Sequence, residues 1–186
     1  LKLNSKGELE WQKTFGGESF DEANSIQQTK DGGYIVAGST HSFGSGEADV
    51  YILKLSPKGQ LEWQKTFGGE KVDVAKSIQQ TADGGYIVAG WTESFETRED
   101  VYILKLNAKG DLEWQKTFGG GDDDGANSIQ QTADGGYVVT GYKSGYVYIL
   151  KLNSKGWVDA IAPEVKIVSP SDGKLLGGII DINIDA

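Results

Sequence analysis

Apolar and polar residues alternate along short stretches of this chain, and no stretch of ten or more residues shows helical spacing. In Leu61–Phe67, the residues Leu61, Trp63, Lys65 and Phe67 take every second position, with Glu62, Gln64 and Thr66 between them. Such period-2 alternation predicts a strand with one covered face. Val50–Leu55 reads instead as apolar on both faces, the pattern of a strand covered on both sides. Ser25–Thr29 and Tyr34–Gly38 are two further strand-like runs, joined by Asp31-Gly32-Gly33, which signals a tight turn.

The same order of segments returns as Ser77–Thr81, Tyr86–Gly90 and Val101–Leu106, and again as Ser128–Thr132, Tyr137–Gly141 and Val147–Leu152. The nonapeptide LEWQKTFGG stands at Leu9–Gly17, Leu61–Gly69 and Leu112–Gly120, 52 and 51 residues apart. Four short antiparallel strands per ~50 residues, repeated, describe the blade of a β-propeller. A three-turn β-solenoid is the alternative, but its usual repeats are shorter and less aromatic. The predicted fold is therefore all-β: a β-propeller of four-stranded antiparallel blades, about three per chain, over residues 1–161. Blade units start near Asp21, Asp73 and Asp124, and a short β tail follows at 162–186.

The two ends of the repeat array do not match. Residues 1–17 supply a spare outer strand with no inner strands before it. The third unit breaks off after Lys155-Gly156, where Trp157 follows at once. A spare strand at one end and a missing one at the other fit strand-exchange closure. Closed propellers have about 4–8 blades, so two readings stay open. Two copies complete a six-bladed ring, or the chain is a piece of a longer propeller, which the change of composition at Ala162 narrowly favours.

The repeats resemble a bacterial and archaeal β-propeller repeat family of secreted and cell-surface proteins, whose blades carry W-x-[KR]-T-[FY]-G-G and D-G-G-Y-[IV]-[VL]-[AT]-G. Those motifs stand here at Trp11–Gly17, Trp63–Gly69 and Trp114–Gly120, and at Asp31–Gly38, Asp83–Gly90 and Asp134–Gly141. The tail resembles the first strands of a bacterial Ig-like domain, through P-x-V-x-I-x-S-P-x-D-G-x-x-L from Pro163. A whole sandwich of that kind needs about 100 residues. The tail thus reads as a truncated domain or as a strand that pairs with another copy. These resemblances imply a secreted or cell-surface location and a fold, not an activity. Gly7…Trp11, Gly59…Trp63 and Gly110…Trp114 also match the G-x-x-x-W spacing of quinoprotein propellers. The acidic residue those repeats carry before the glycine has no counterpart here, and the overlap reads as shared blade packing.

Charge and composition narrow the function. A net charge of −9 and a pI near 4.6 argue against nucleic acid, whose phosphates need clustered Lys and Arg, so no nucleic-acid partner is expected. With no Cys there is neither a disulfide framework nor a thiolate metal site. No apolar run approaches the ~18 residues of a spanning helix, so membrane insertion is not expected. A single histidine and the absence of a G-x-S-x-G motif leave little for catalysis.

In a propeller the loops before the first strand and between the second and third strands share one face. Here they hold most of the carboxylates, and the second–third loops (Ser39–Asp49, Trp91–Asp100, Tyr142–Gly145) vary most between units. Variable loops on a rigid frame are where binding specificity resides, which nominates His41, Phe43, Trp91, Phe95, Arg98 and Tyr142 for contact with a protein or glycan. Trp91 stacks on a sugar ring or packs between blades. Asp122, Asp123 and Asp124 are the calcium candidates, although they lack D-x-D-x-D-G spacing. No other cofactor is expected. Asp21, Asp73 and Asp124 read as turn acceptors, and the Gln27-Gln28, Gln79-Gln80 and Gln130-Gln131 pairs as flanking the central channel.

The predicted function is a non-catalytic structural or binding module that engages proteins or glycans, or assembles with itself, through the acidic loop face. The alternative is a carbohydrate-active or quinone-dependent propeller enzyme, with its active residues on that face or in blades outside the chain.

Overall fold

The computed structural model of the protein describes residues 1–95 and 98–158; the predicted tail at 162–186 lies outside the described residues. The described part is all β. A short pair, β1 (Lys2–Leu3) and β2 (Leu9–Trp11), precedes three sheets. The first sheet is β3 (Asp21–Gln28), β4 (Tyr34–Thr40), β5 (Asp49–Leu55) and β6 (Leu61–Phe67). The second is β7 (Asp73–Gln80), β8 (Tyr86–Thr92), β9 (Asp100–Leu106) and β10 (Leu112–Phe118). The third holds β11 (Asp124–Gln131), β12 (Tyr137–Lys143) and β13 (Tyr146–Leu152). Within each sheet the strands lie in chain order and every pair is antiparallel.

The inner strands begin at Asp21, Asp73 and Asp124, four residues earlier than the alternation predicts. The cause is a bulge. Ala23 pairs with Gly38 but Ser25 with Ala37, so Asn24 is the extra residue. Gly38 is required there, because a Cβ would sit 1.8 Å from the Glu22 carbonyl oxygen. Both features recur in the other two sheets.

The core lies between sheets. Ile35, Ala37, Val50 and Ile52 of the first sheet form one apolar cluster with Ala75, Ile78 and Tyr86 of the second. Ile87, Ala89, Val101 and Ile103 repeat this contact against Ala126, Ile129 and Tyr137 of the third. Strands β5 and β9 are buried along their whole length, as their two-sided apolar pattern predicts.

Each outer strand completes the core of the following sheet. Trp63 meets Tyr86 edge to face at 5.9 Å and Trp114 meets Tyr137 at 6.0 Å. Trp63 also covers Gly110, where a Cβ would lie 2.8 Å from the indole. The G-x-x-x-W spacing is thus a packing device linking neighbouring sheets. Trp11 stands over Tyr34 at 5.6 Å, so the N-terminal copy of LEWQKTFGG serves the first sheet in the same way. The expected shared face of Leu61, Trp63, Lys65 and Phe67 is interrupted by a register shift between Lys54 and Leu55. Leu61 is left 42% exposed while Trp63 and Phe67 pack inward.

The glutamine pairs on the inner strands stitch the sheets together. Gln27 Oε1 accepts from the Gln80 N–H at 2.6 Å, and Gln79 Oε1 from the Gln131 N–H at 2.6 Å. In the other direction, the Lys30 N–H donates to Gln80 Oε1 and the Ala82 N–H to Gln131 Oε1.

Candidate functional site

The loops before β3, β7 and β11 are sewn to those after β4, β8 and β12. The His41 N–H donates to the Phe20 carbonyl and the Glu93 N–H to the Val72 carbonyl, both at 2.9 Å. Asp21 holds this junction: its carboxylate accepts from the Gly17 N–H at 2.8 Å, Ser42 Oγ at 2.9 Å and Thr40 Oγ1. Burial pushes the Asp21 pKa up, but these hydrogen bonds outweigh it and leave the pKa below the ordinary value. Asp73 repeats the set with the Gly69 N–H, Ser94 Oγ and Thr92 Oγ1. The repeated aspartates therefore act as turn acceptors, as the sequence predicts.

The third sheet departs from this scheme. Lys143 stands where Thr40 and Thr92 stand, and β12 turns into β13 through Ser144 (φ 50°) and Gly145 (φ 80°). Positive φ at both central residues marks a type I′ hairpin. Asp124 accepts from the Ser144 N–H at 3.2 Å, while its buried Oδ2 has no hydrogen bond and lies 3.7 Å from the Lys143 ammonium.

This face is less acidic than the sequence count indicates. Asp49, Asp73, Asp100 and Asp124 are all buried, because each opens a strand rather than belonging to a loop. The calcium candidates diverge: Ser144 Oγ donates to Asp122 at 2.9 Å, Asp123 lies 3.9 Å from the Arg98 guanidinium, and Asp124 turns inward. Among the described residues no three His, Cys, Asp or Glu side chains are grouped to hold a metal ion.

The other candidates separate too. Trp91 belongs to β8 rather than to a loop, is half-buried, and pairs in register with Val74 and Val101. Phe43 and Phe95 are repeat equivalents, tilted over Tyr51 at 5.7 Å and Tyr102 at 5.5 Å. Different loop lengths around them hide that equivalence in the sequence. His41 packs edge-on against Phe20 at 6.0 Å. Tyr142 lies in β12 and donates its hydroxyl to Glu99 Oε2 at 2.6 Å, bridging the second and third sheets. Burial first, and then this contact, push the Tyr142 phenol up.

Of two open depressions of similar size, one of about 280 Å³ lies beside Phe15 and the already engaged Asp21. The other, of about 290 Å³, lies between the second and third sheets, lined by Arg98, Asp122, Asp123, Ser144 and Gly145. This second depression presents a cation and two carboxylates to solvent, a set suited to holding a polar ligand through charge-assisted hydrogen bonds.

On the opposite face lies a set of residues that the sequence reading passed over. Lys54, 3% exposed, points its ammonium at Asp31 (2.8 Å), Glu62 (2.9 Å) and the Leu55 carbonyl (3.2 Å). Lys105 repeats this with Asp83 and Glu113, and Lys151 keeps Asp134. The hydrogen bond from Lys54 is the main cause that holds the Asp31 carboxyl down at about 2. For Asp83, burial pushes up, but Thr81, the Gly85 N–H and Lys105 together bring it to about 2. The signal was present as a lysine inside an otherwise apolar I-L-K-L run, three times over.

Residues 81–113 match the family described as a β-propeller domain of unknown function (DUF5122). That stretch contains β8 and β9 of a complete four-stranded sheet, stacked face to face on its neighbours. The fold is a β-propeller. Its three sheets are blades, and the depression at Arg98 lies between the second and third. Among solved structures the propeller is similar to Sqt1 from Chaetomium thermophilum, with a TM-score of 0.39 and 14% identity over 74% of this chain. The match spans 34% of that protein's length. No curated protein matches the chain.

Proposed function

We propose that this propeller is a non-catalytic binding module of a secreted or cell-surface protein, which engages a protein or glycan at the depression between its second and third blades. One observation carries the reading. The polar groups repeated on this face are consumed in holding the loops, whereas Arg98, Asp122 and Asp123 stand exposed and have no like residue at the matching positions of the other units. A rigid frame with a non-repeated polar patch is the arrangement of a recognition surface. The resemblance of the repeats to secreted and cell-surface propellers supports the location. His41, the chain's one histidine, belongs to the first blade and meets Phe20 edge-on, away from this patch.

The test is a glycan and peptide array probed with the chain and with its Arg98→Ala/Asp123→Ala variant. Loss of a central arginine contact lowers affinity by about 30-fold or more, so the variant's signal is expected to vanish. A ligand held equally well by the variant overturns the assignment. So does turnover of a glycoside, or of a quinone-coupled substrate, that Asp122→Asn/Asp123→Asn abolishes.

A further inference from the structure

Among the described residues the two ends of the row of blades are uncovered, and they are the two halves of an interface the chain already builds twice. On the trailing side, Val147 and Ile149 of β13 are 85% and 67% exposed. Their equivalents Val50, Ile52, Val101 and Ile103 are at most 1% exposed, packed on the next blade. On the leading side Ile26 is 61% exposed, while Ile78 and Ile129, at the same position, are 5% and 2% exposed.

The polar half of the interface repeats in the same way. Ser25 and Ser77 accept from the N–H groups of Ile78 and Ile129 in the following blade, at 3.3 and 3.2 Å. The matching Ser128 and Gln130 of the third blade are exposed. Strands β5 and β9 each carry an outer strand, but among the described residues only a bridge from Leu152 to Val158 lies beyond β13. Ala160 then stands in the sequence where Trp63 and Trp114 stand.

The missing piece is present at the other end. Trp11 and Phe15 pack on the first blade as Trp63 and Phe67 pack on the second. Their strand is paired only to β1: Lys2 opposite Trp11 and Leu3 opposite Leu9. This is the register of Lys54 opposite Trp63 and Leu55 opposite Leu61. Lys2–Leu3 thus occupies the position that Lys151–Leu152 of a neighbouring blade would take.

We propose that a second copy of this chain closes both ends by strand exchange. The segment 9–15 of one copy completes the third blade of the other, displacing Lys2–Leu3. Val147 and Ile149 then pack on the partner's Ile26. The contact is head to tail, and two of them generate a six-bladed, two-fold ring. This surface is separate from the loop face, so the inference stands apart from the proposed ligand site.

The experiment is sedimentation of the 186-residue chain and of its Ile26→Asp, Val147→Asp and Ile149→Asp variants, with circular dichroism as the check on folding. All three sites are exposed, so the blades themselves are expected to survive. The wild type sediments at twice the 20.0 kDa chain mass, and each variant dissociates at least ~100-fold more readily, given what a buried unpaired charge costs. Mixing Ile26→Asp with Ile149→Asp restores a dimer, because that pair retains one undamaged head-to-tail contact. Removing residues 1–8 tightens association by freeing the exchange strand. A wild type that stays monomeric at ~100 μM overturns the proposal. Masses that grow past the dimer, or failure of the two variants to complement each other, overturn it equally.

Discussion

Gly84 and Gly85 are neighbours in one turn, yet they are fixed by different physics. Gly84 has φ +86° and open space around it, so alanine meets only backbone strain, worth about 1 kcal/mol. A Cβ on Gly85 would lie 2.3 Å from the Leu106 carbonyl and 2.7 Å from Lys105 Nζ. Gly85→Ala is therefore expected to cost about 3 kcal/mol, against about 1 for Gly84→Ala, in urea melts of the two variants. The second glycine exists to let the buried ammonium reach Asp83. The same ion pairs set the acid response. Asp31 and Asp83 titrate at about 2 in the fold, below the ordinary 3.8. A lowered folded pKa stabilises fully above the unfolded value and loses its contribution as pH falls through the folded one. The melting temperature should hold down to about pH 4 and decline towards pH 2. Lys105→Met, which removes one of the three contacts that lower Asp83, should make that decline shallower, while Thr81 and the Gly85 N–H keep part of it.

At the scale of strands, the repeats supply internal controls. Gln79 and Gln130 are equivalent by sequence, but only Gln79 has a following blade, whose Gln131 N–H it accepts at 2.6 Å. Gln79→Ala should cost about 1 kcal/mol and Gln130→Ala less than about 0.5, compared by denaturation at a concentration where sedimentation shows the chain to be monomeric. Strand identity was readable in the sequence because period-2 alternation survives over five to seven residues. The start of β3, β7 and β11 was not, because the bulge at Asn24 and its equivalents breaks the period. Trp91 read as a loop residue because β8 continues past Gly90 into the segment where the units diverge. The buried lysines went unread because a charge among apolar residues has meaning only once Asp31 and Glu62 are brought to it from two other strands. The depression at Arg98 was half legible: its variable loop stood out, while its closure against Asp122 and Ser144 depends on stacking of the blades.

At the scale of the molecule, charge opposes assembly. Each chain carries −9, so two copies repel while apolar faces join them. At ~0.05 M salt that repulsion acts over more than 10 Å, and at ~0.5 M it is screened to a few ångströms. Raising salt across this range should lower the dimer's dissociation constant in sedimentation equilibrium, whereas an assembly held by ion pairs would loosen.

Three outer strands share the letters LEWQKTFGG, so each offers the same side chains to whichever blade it flanks. Affinity alone does not say which strand belongs where. Connectivity decides, by holding each strand at high effective concentration beside one acceptor. The first copy, paired among the described residues only with the two residues of β1, is the strand for which that tether is weakest. Under the proposed exchange, the chain's outer strands become interchangeable parts between one molecule and the next.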